Sequence, residues 1–198
     1  MGNSSSAARG PSAAVELPAL RQPFVAIDAR FVRPTEVTRI RCKETLQSSK
    51  KLVYKDLGSR KALFRTGPHV ELQTLLDGDK QPLVNIVTKP ETPSIYYVYR
   101  PETPKQDQTE DLALLQVYVQ LDAPAKSCYL PTTLRVDFTD LTTGERCTIT
   151  MDGEWCSRNA VLWLEQTSDR PRTALDRVFR PKSAQMLLDS FTLEIAPN

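Results

Sequence analysis

Between residues 36 and 66, lysine and arginine return at alternate positions: Arg39, Arg41 and Lys43 in one short segment, Lys51 and Lys55 in the next, Lys61 and Arg65 in a third. Cations at this spacing gather anions; they make no reaction centre on their own. Successive side chains of a strand point to opposite faces. Val37, Arg39, Arg41 and Lys43 therefore share one face of the first segment, with Thr38, Ile40 and Cys42 on the other. The second segment sets Lys51, Val53 and Lys55 against Leu52, Tyr54 and Asp56, and the third sets Lys61, Leu63 and Arg65 against Ala62 and Phe64. A turn over 56–59, containing Gly58, joins these two segments. With Ile40, Leu52, Tyr54 and Phe64 facing a core, all seven cations lie on one twisted sheet.

Other residue types with chemical potential read as structural. His69 is the single histidine, and no GxSxG or cysteine-nucleophile signature accompanies it. Cys42, Cys128, Cys147 and Cys156 lack zinc-ligand spacing and are expected as free thiols. Asp77 with Asp79, and Asp137 with Asp140, read as turn formers, because Asp-Gly-Asp lacks the other ligands of a calcium loop. Seven glycines form neither GxGxxG nor GxxxxGK[ST]. Tyr97 and Tyr99 fall on one face of a strand and Tyr96 on the other, in a region that is not basic, which argues against nucleic acid as a partner. Trp155 and Trp163 read as wall packing. The residues call for no metal, no cofactor and no enzymatic activity.

The elements that must position the cations follow from charge and punctuation. The chain has 198 residues, 40% of them hydrophobic, enough for one domain of ordinary size. Residues 1–70 carry 13 Lys and Arg against 5 Asp and Glu, net +8, whereas residues 71–198 carry 13 against 19, net −6. The basic half is the one that would meet an anion. Residues 1–23 are small, polar and broken by proline, and read as a mobile tail, with the domain occupying 24–198. Met1-Gly2-Asn3-Ser4-Ser5-Ser6 fits the N-myristoylation pattern, with Gly2 as the acylated residue. One acyl chain holds a membrane only marginally, so stable attachment needs a second signal, which a basic face supplies.

Strands are predicted at 24–27, in the three basic segments, and at 69–76, 82–88, 94–100, 112–121, 133–138, 146–151, 159–165, 173–179 and 190–195. The Pro-Glu-Thr-Pro repeats at 90–93 and 101–104 should confine the aromatic strand between them. Residues 180–188 suggest at most a helical turn or two. A dozen or so short strands with turns at regular spacing suggest an all-β barrel or sandwich.

The order VAIDARF, RIRCK, KLVYKDLGSRKALFRT, LLDGDKQPLVNI, TGERCTITMDGEWCSRNAVLWLE and FTLEIAPN resembles the LURP-one-related proteins, relatives of the tubby C-terminal domain and of the phospholipid scramblases. The likeness runs from Phe24 to the last residue and rests on the order of its landmarks. It implies a closed antiparallel barrel of about twelve strands, a closure that removes exposed sheet edges. In that family a hydrophobic C-terminal helix fills the barrel, whereas the sequence in hand stops at Pro197-Asn198. Truncation, inward folding of residues 180–188 or of the N-terminal tail, an apolar ligand, or a partner's helix would each answer the need to fill such a lumen.

Clustered cations, the acylation pattern at the same end of the chain, and the likeness to tubby-like barrels, some of which bind phosphoinositide headgroups, converge on one expectation. It is a monomeric, non-enzymatic adaptor, peripheral on the cytosolic face of a membrane, that binds anionic lipid through Arg39, Arg41, Lys43, Lys51, Lys55, Lys61 and Arg65, and it leaves room for a protein partner. The rivals are a soluble carrier of a small apolar ligand in an unplugged barrel, and a truncated family member without full function. Scramblase activity ranks below these.

Overall fold

The structure is a computed structural model that describes residues 15–44, 52–66, 73–120, 133–154, 159–166, 171–179 and 190–198, the side chains of Lys43, Glu44, Glu154 and Ser190 excepted. Period-two alternation is what these residues obey, and it yields twelve strands: β1 (Thr38–Glu44), β2 (Leu52–Asp56), β3 (Ala62–Thr66), β4 (Gln73–Asp77), β5 (Pro82–Lys89), β6 (Thr92–Tyr99), β7 (Leu115–Gln120), β8 (Thr133–Thr139), β9 (Arg146–Glu154), β10 (Asn159–Glu165), β11 (Thr173–Phe179) and β12 (Ser190–Ile195). Each pairs antiparallel with its neighbour in sequence, and β1 closes the ring by pairing with β12. The all-β closed antiparallel barrel is thus the observed fold, and among the described residues helix is confined to 3-10 turns at Ala29–Phe31, Lys105–Asp107 and Glu110–Leu112.

Closure gives the wall an inside and an outside. Inward positions form three apolar clusters, built around Phe138, Cys147, Leu164 and Leu175, around Cys42, Met151, Ala160, Val178 and Phe191, and around Leu83, Val84 and Val98. The ring is not regular: register shifts interrupt the pairs β2–β3, β4–β5, β5–β6 and β10–β11. The shifts in β2–β3, β4–β5 and β10–β11 each set one extra residue against the partner strand and so break alternation, and the β5–β6 shift leaves three, residues 93–95, without a partner on β5. Gly153 accommodates a tight β9–β10 approach at φ 111°, where a Cβ would stand 2.4 Å from the Asn159 carbonyl oxygen.

Residues 24–27 are not the predicted entry strand. They cross the barrel mouth at which β1 begins and β12 stops, joining no sheet. Val25 N–H donates to Asp140 Oδ1 at 2.9 Å and its carbonyl accepts from Leu141 N–H at 2.8 Å, so the β8–β9 turn holds the segment. Asn198 holds it from the other side, accepting from Phe24 N–H at 2.8 Å and donating to the Phe24 carbonyl at 3.0 Å. Phe24 packs on Phe138 with ring centroids 5.3 Å apart, and Phe31 packs on Phe64 at 5.0 Å. Residues 24–27 thus cover this mouth of the barrel. The contacts begin upstream of Phe24: Leu20 joins the first cluster and donates its N–H to the Pro197 carbonyl at 2.9 Å.

Two smaller differences have local causes. Pairing in β6 reaches Thr92, so Pro93 lies inside the strand at an exposed position. Residues 112–114 are not in β7, because the Glu110–Leu112 turn precedes it. His69, Cys128, Trp155, Cys156 and residues 180–188 lie outside the described residues.

Candidate anion-binding face

The register of β1, β2 and β3 decides which cations meet. Arg41 is opposite Lys55, Lys43 is opposite Val53, and Val53 is opposite Arg65. Ile40 and Cys42 are buried inward, which turns Arg41 outward, as alternation predicts. Like charges directly opposite each other cost stability, on the order of 0.2–1 kcal/mol. The β2–β3 hairpin that brings Lys55 and Arg65 together closes through Asp56, whose Oδ1 accepts from Gly58 N–H at 2.8 Å and whose carbonyl accepts from Arg60 N–H at 2.9 Å. Arg41 and Arg65 share a further feature: the Nε of each is buried with no hydrogen-bond partner. An unsatisfied buried donor costs about 1–3 kcal/mol, which an acceptor brought to it would recover.

Other expected members part from this group. Lys61 precedes β3 and belongs to the hairpin connection, its carbonyl accepting from Asp56 N–H at 2.9 Å. The shift that pairs Tyr54 with Phe64 but Lys55 with Ala62 leaves Leu63 without a register partner, so Lys61, Leu63 and Arg65 do not share a face. Arg39 faces outward but is not a free cation. Its Nε donates to Glu194 Oε1 at 2.8 Å across the β1–β12 seam. Lys51 and Gly2, and the side chain of Lys43, lie outside what is described.

Glu194 was absent from the expected set and organises this edge of it. It is the register partner of Arg39 on one side and of Arg177 on the other, and Arg177 Nε also donates to it. Burial pushes the Glu194 carboxyl up, yet the hydrogen bonds and charges of Arg39 and Arg177 outweigh burial and hold it below the usual glutamate range. The signal in the sequence was Glu194 as an alternate polar position in FTLEI; its meaning needs the closure of β12 on β1.

On the opposite wall Arg135 has company. On β7–β9, Arg135 Nε donates to Asp137 Oδ1 at 2.9 Å, and Thr148 Oγ1 donates to the same oxygen at 2.9 Å. The Arg135 guanidinium also stands 5.7 Å from the Tyr118 ring centroid. Asp137 is therefore a strand residue with an ion pair, not a turn former, whereas Asp140 and Asp77 are turn formers as expected. Asp140 accepts from Val25, Thr142 and Thr143. Asp77 accepts from the N–H groups of Asp79 and Gln81. Tyr97 and Tyr99 face outward together but lie buried under the 100–114 connection, donating to Glu110 Oε1 at 2.9 Å and to the Gln108 carbonyl at 3.2 Å. They offer no platform to a nucleic-acid base.

A solved plant structure has this fold. It is the X-ray structure of an Arabidopsis thaliana protein, 21% identical, with a TM-score of 0.58 and 89% of each chain covered. No family model and no curated protein matches the chain.

Cys42 and Cys147 are both buried, and burial pushes the Cys147 thiol up, away from thiolate. Among the described residues, no group of three His, Cys, Asp or Glu side chains is placed to hold a metal, and no helix is long and apolar enough to cross a membrane.

Proposed function

We propose that this barrel is a non-enzymatic, membrane-associated adaptor whose β1–β3 face binds an anionic lipid headgroup, a phosphoinositide being the best fit. The observation that carries it is the register pair Arg41–Lys55 with Arg65 one position along the same face, the two arginines each having a buried, unpartnered Nε. A face that sets like charges opposite each other and leaves donors unmet gains most when an anion with several oxygens arrives. Bidentate recognition of phosphate suits guanidinium, and Lys55 adds a point charge. Acylation at Gly2 supplies the second anchor and puts the protein on the cytosolic side. The LURP-one-related likeness agrees with this reading through the tubby-like barrels that bind phosphoinositides.

The test is co-sedimentation of unacylated protein with phosphatidylcholine vesicles, alone or doped with phosphatidylserine or a phosphoinositide. At about 1 kcal/mol per basic residue near an anionic surface, Arg41→Glu/Lys55→Glu should weaken binding to doped vesicles at least roughly 30-fold. Equal binding of wild type and double variant would remove the site from this face, and no binding by either would sink the reading.

A further inference from the structure

Glu194 holds two arginines and, through one of them, the N-terminal segment. Its carboxylate lies on the outer face, 6% exposed as a side chain, between Arg39 on β1 and Arg177 on β11. Arg177 reaches further, donating from Nη1 to the Val15 carbonyl at 3.3 Å. Arg39 stands two residues from Arg41 on the same outward row, so the ladder Arg39–Glu194–Arg177 continues the basic face round the seam of the barrel. Two guanidiniums whose Nε atoms converge on one pair of carboxylate oxygens have the arrangement that binds a phosphate or carboxylate group. Here the chain's own carboxylate occupies it.

We propose that Glu194 is a built-in counter-ion that withholds Arg39 and Arg177 from the anion-binding face and, through Arg177 and Val15, ties the N-terminal segment to the occupancy of that face. The proposal rests on the β1–β3 reading above and deepens it: the face is set below its full affinity. An incoming phosphate competes with Glu194 for Arg39. When Arg39 turns to the lipid, Glu194 and Arg177 lose their third member, and the geometry that presents Arg177 to Val15 loosens.

Three variants test this in the vesicle assay, with hydrogen exchange followed over residues 15–22. Glu194→Gln releases one positive charge to the face, so its affinity for phosphoinositide-doped vesicles should rise about fivefold, where simple structural damage would lower it. Arg39→Ala should change affinity less than about twofold, because what Arg39 gains on turning to the lipid is offset by the Glu194 contact it gives up, while Arg41→Ala lowers it about fivefold. Exchange at Leu20, whose N–H bonds the Pro197 carbonyl, should quicken in wild type when doped vesicles are added, and in Glu194→Gln without them. Weaker or unchanged binding by Glu194→Gln overturns the proposal. So does an Arg39→Ala loss equal to that of Arg41→Ala, a result that stands even if Glu194→Gln does not fold. Failure of every protein, wild type included, to bind any vesicle would instead overturn the β1–β3 reading itself.

Discussion

The β1–β3 wall and the β7–β9 wall are both antiparallel, both outward-facing and both furnished with arginine, yet they treat charge in opposite ways. On β7–β9 outward polar groups find complements: Arg135 meets Asp137 along β8, Thr148 meets the same carboxylate, and Thr150 meets Glu165 of the neighbouring β10. On β1–β3 the ladder brings a like charge, Arg41 against Lys55. The first arrangement is what a solvated wall needs. The second is a cost, and it is the feature on which the proposed anion site rests.

The contrast can be broken by reversing charge on both walls. Arg135→Glu/Arg146→Glu should leave binding to phosphoinositide-doped vesicles within about threefold of wild type, against the roughly 30-fold loss for Arg41→Glu/Lys55→Glu. Equal losses would mean that only overall charge matters.

The inner face offers a harsher version of the same comparison. Asp176 faces inward on β11, almost completely buried, with one oxygen unpartnered, next to the well-partnered Glu194. Desolvation drives its carboxyl well above the usual aspartate range, and the Glu194 charge adds to this, against hydrogen bonds from the Arg177 and Glu194 backbone. The folded chain thus keeps a proton that the unfolded chain releases above about pH 4. Stability should fall as pH rises from there toward the folded-state pKa, by at most about 1.4 kcal/mol per pH unit. Asp176→Asn removes that slope, so urea unfolding should find the variant more stable near pH 7 and equal to wild type below about pH 4.

The smallest effect is a difference of sign. Arg41→Ala relieves a like-charge pair and should raise stability by a few tenths of a kcal/mol. Arg135→Ala breaks an exposed pair and should lower stability by about as much. Thermal melts at low salt would resolve the two, and the gap should shrink as salt screens both.

Alternation alone places Ile40 and Cys42 inward and Arg41 and Lys55 outward, because β1 and the first part of β2 are regular. It fails at Lys61, where the shift near Leu63 inserts a residue that no local pattern announces. It fails again at 24–27, whose apolar run is equally suited to a strand and to a stopper across a barrel mouth. Only the Asn198 and Asp140 contacts, 174 and 115 residues away in sequence, decide which. Arg39 was legible as a cation and not as a neutralised one, since Glu194 lies 155 residues downstream. The closed twelve-strand ring was legible through the order of family landmarks; the covering of Tyr97 and Tyr99 by an acidic connection was not.

That separation of 155 residues between Arg39 and Glu194 also sets a timetable for synthesis. At about 5–20 residues per second, one flank of β1 waits roughly 8–30 s after leaving the ribosome before β12 exists to pair with it. During that interval its backbone donors and acceptors are an open template for any neighbouring nascent chain. A strand reading TRIRCKE is poorly suited to self-pairing, because stacked copies would bring its own cations together. The charges of β1 thus guard the seam while it is open.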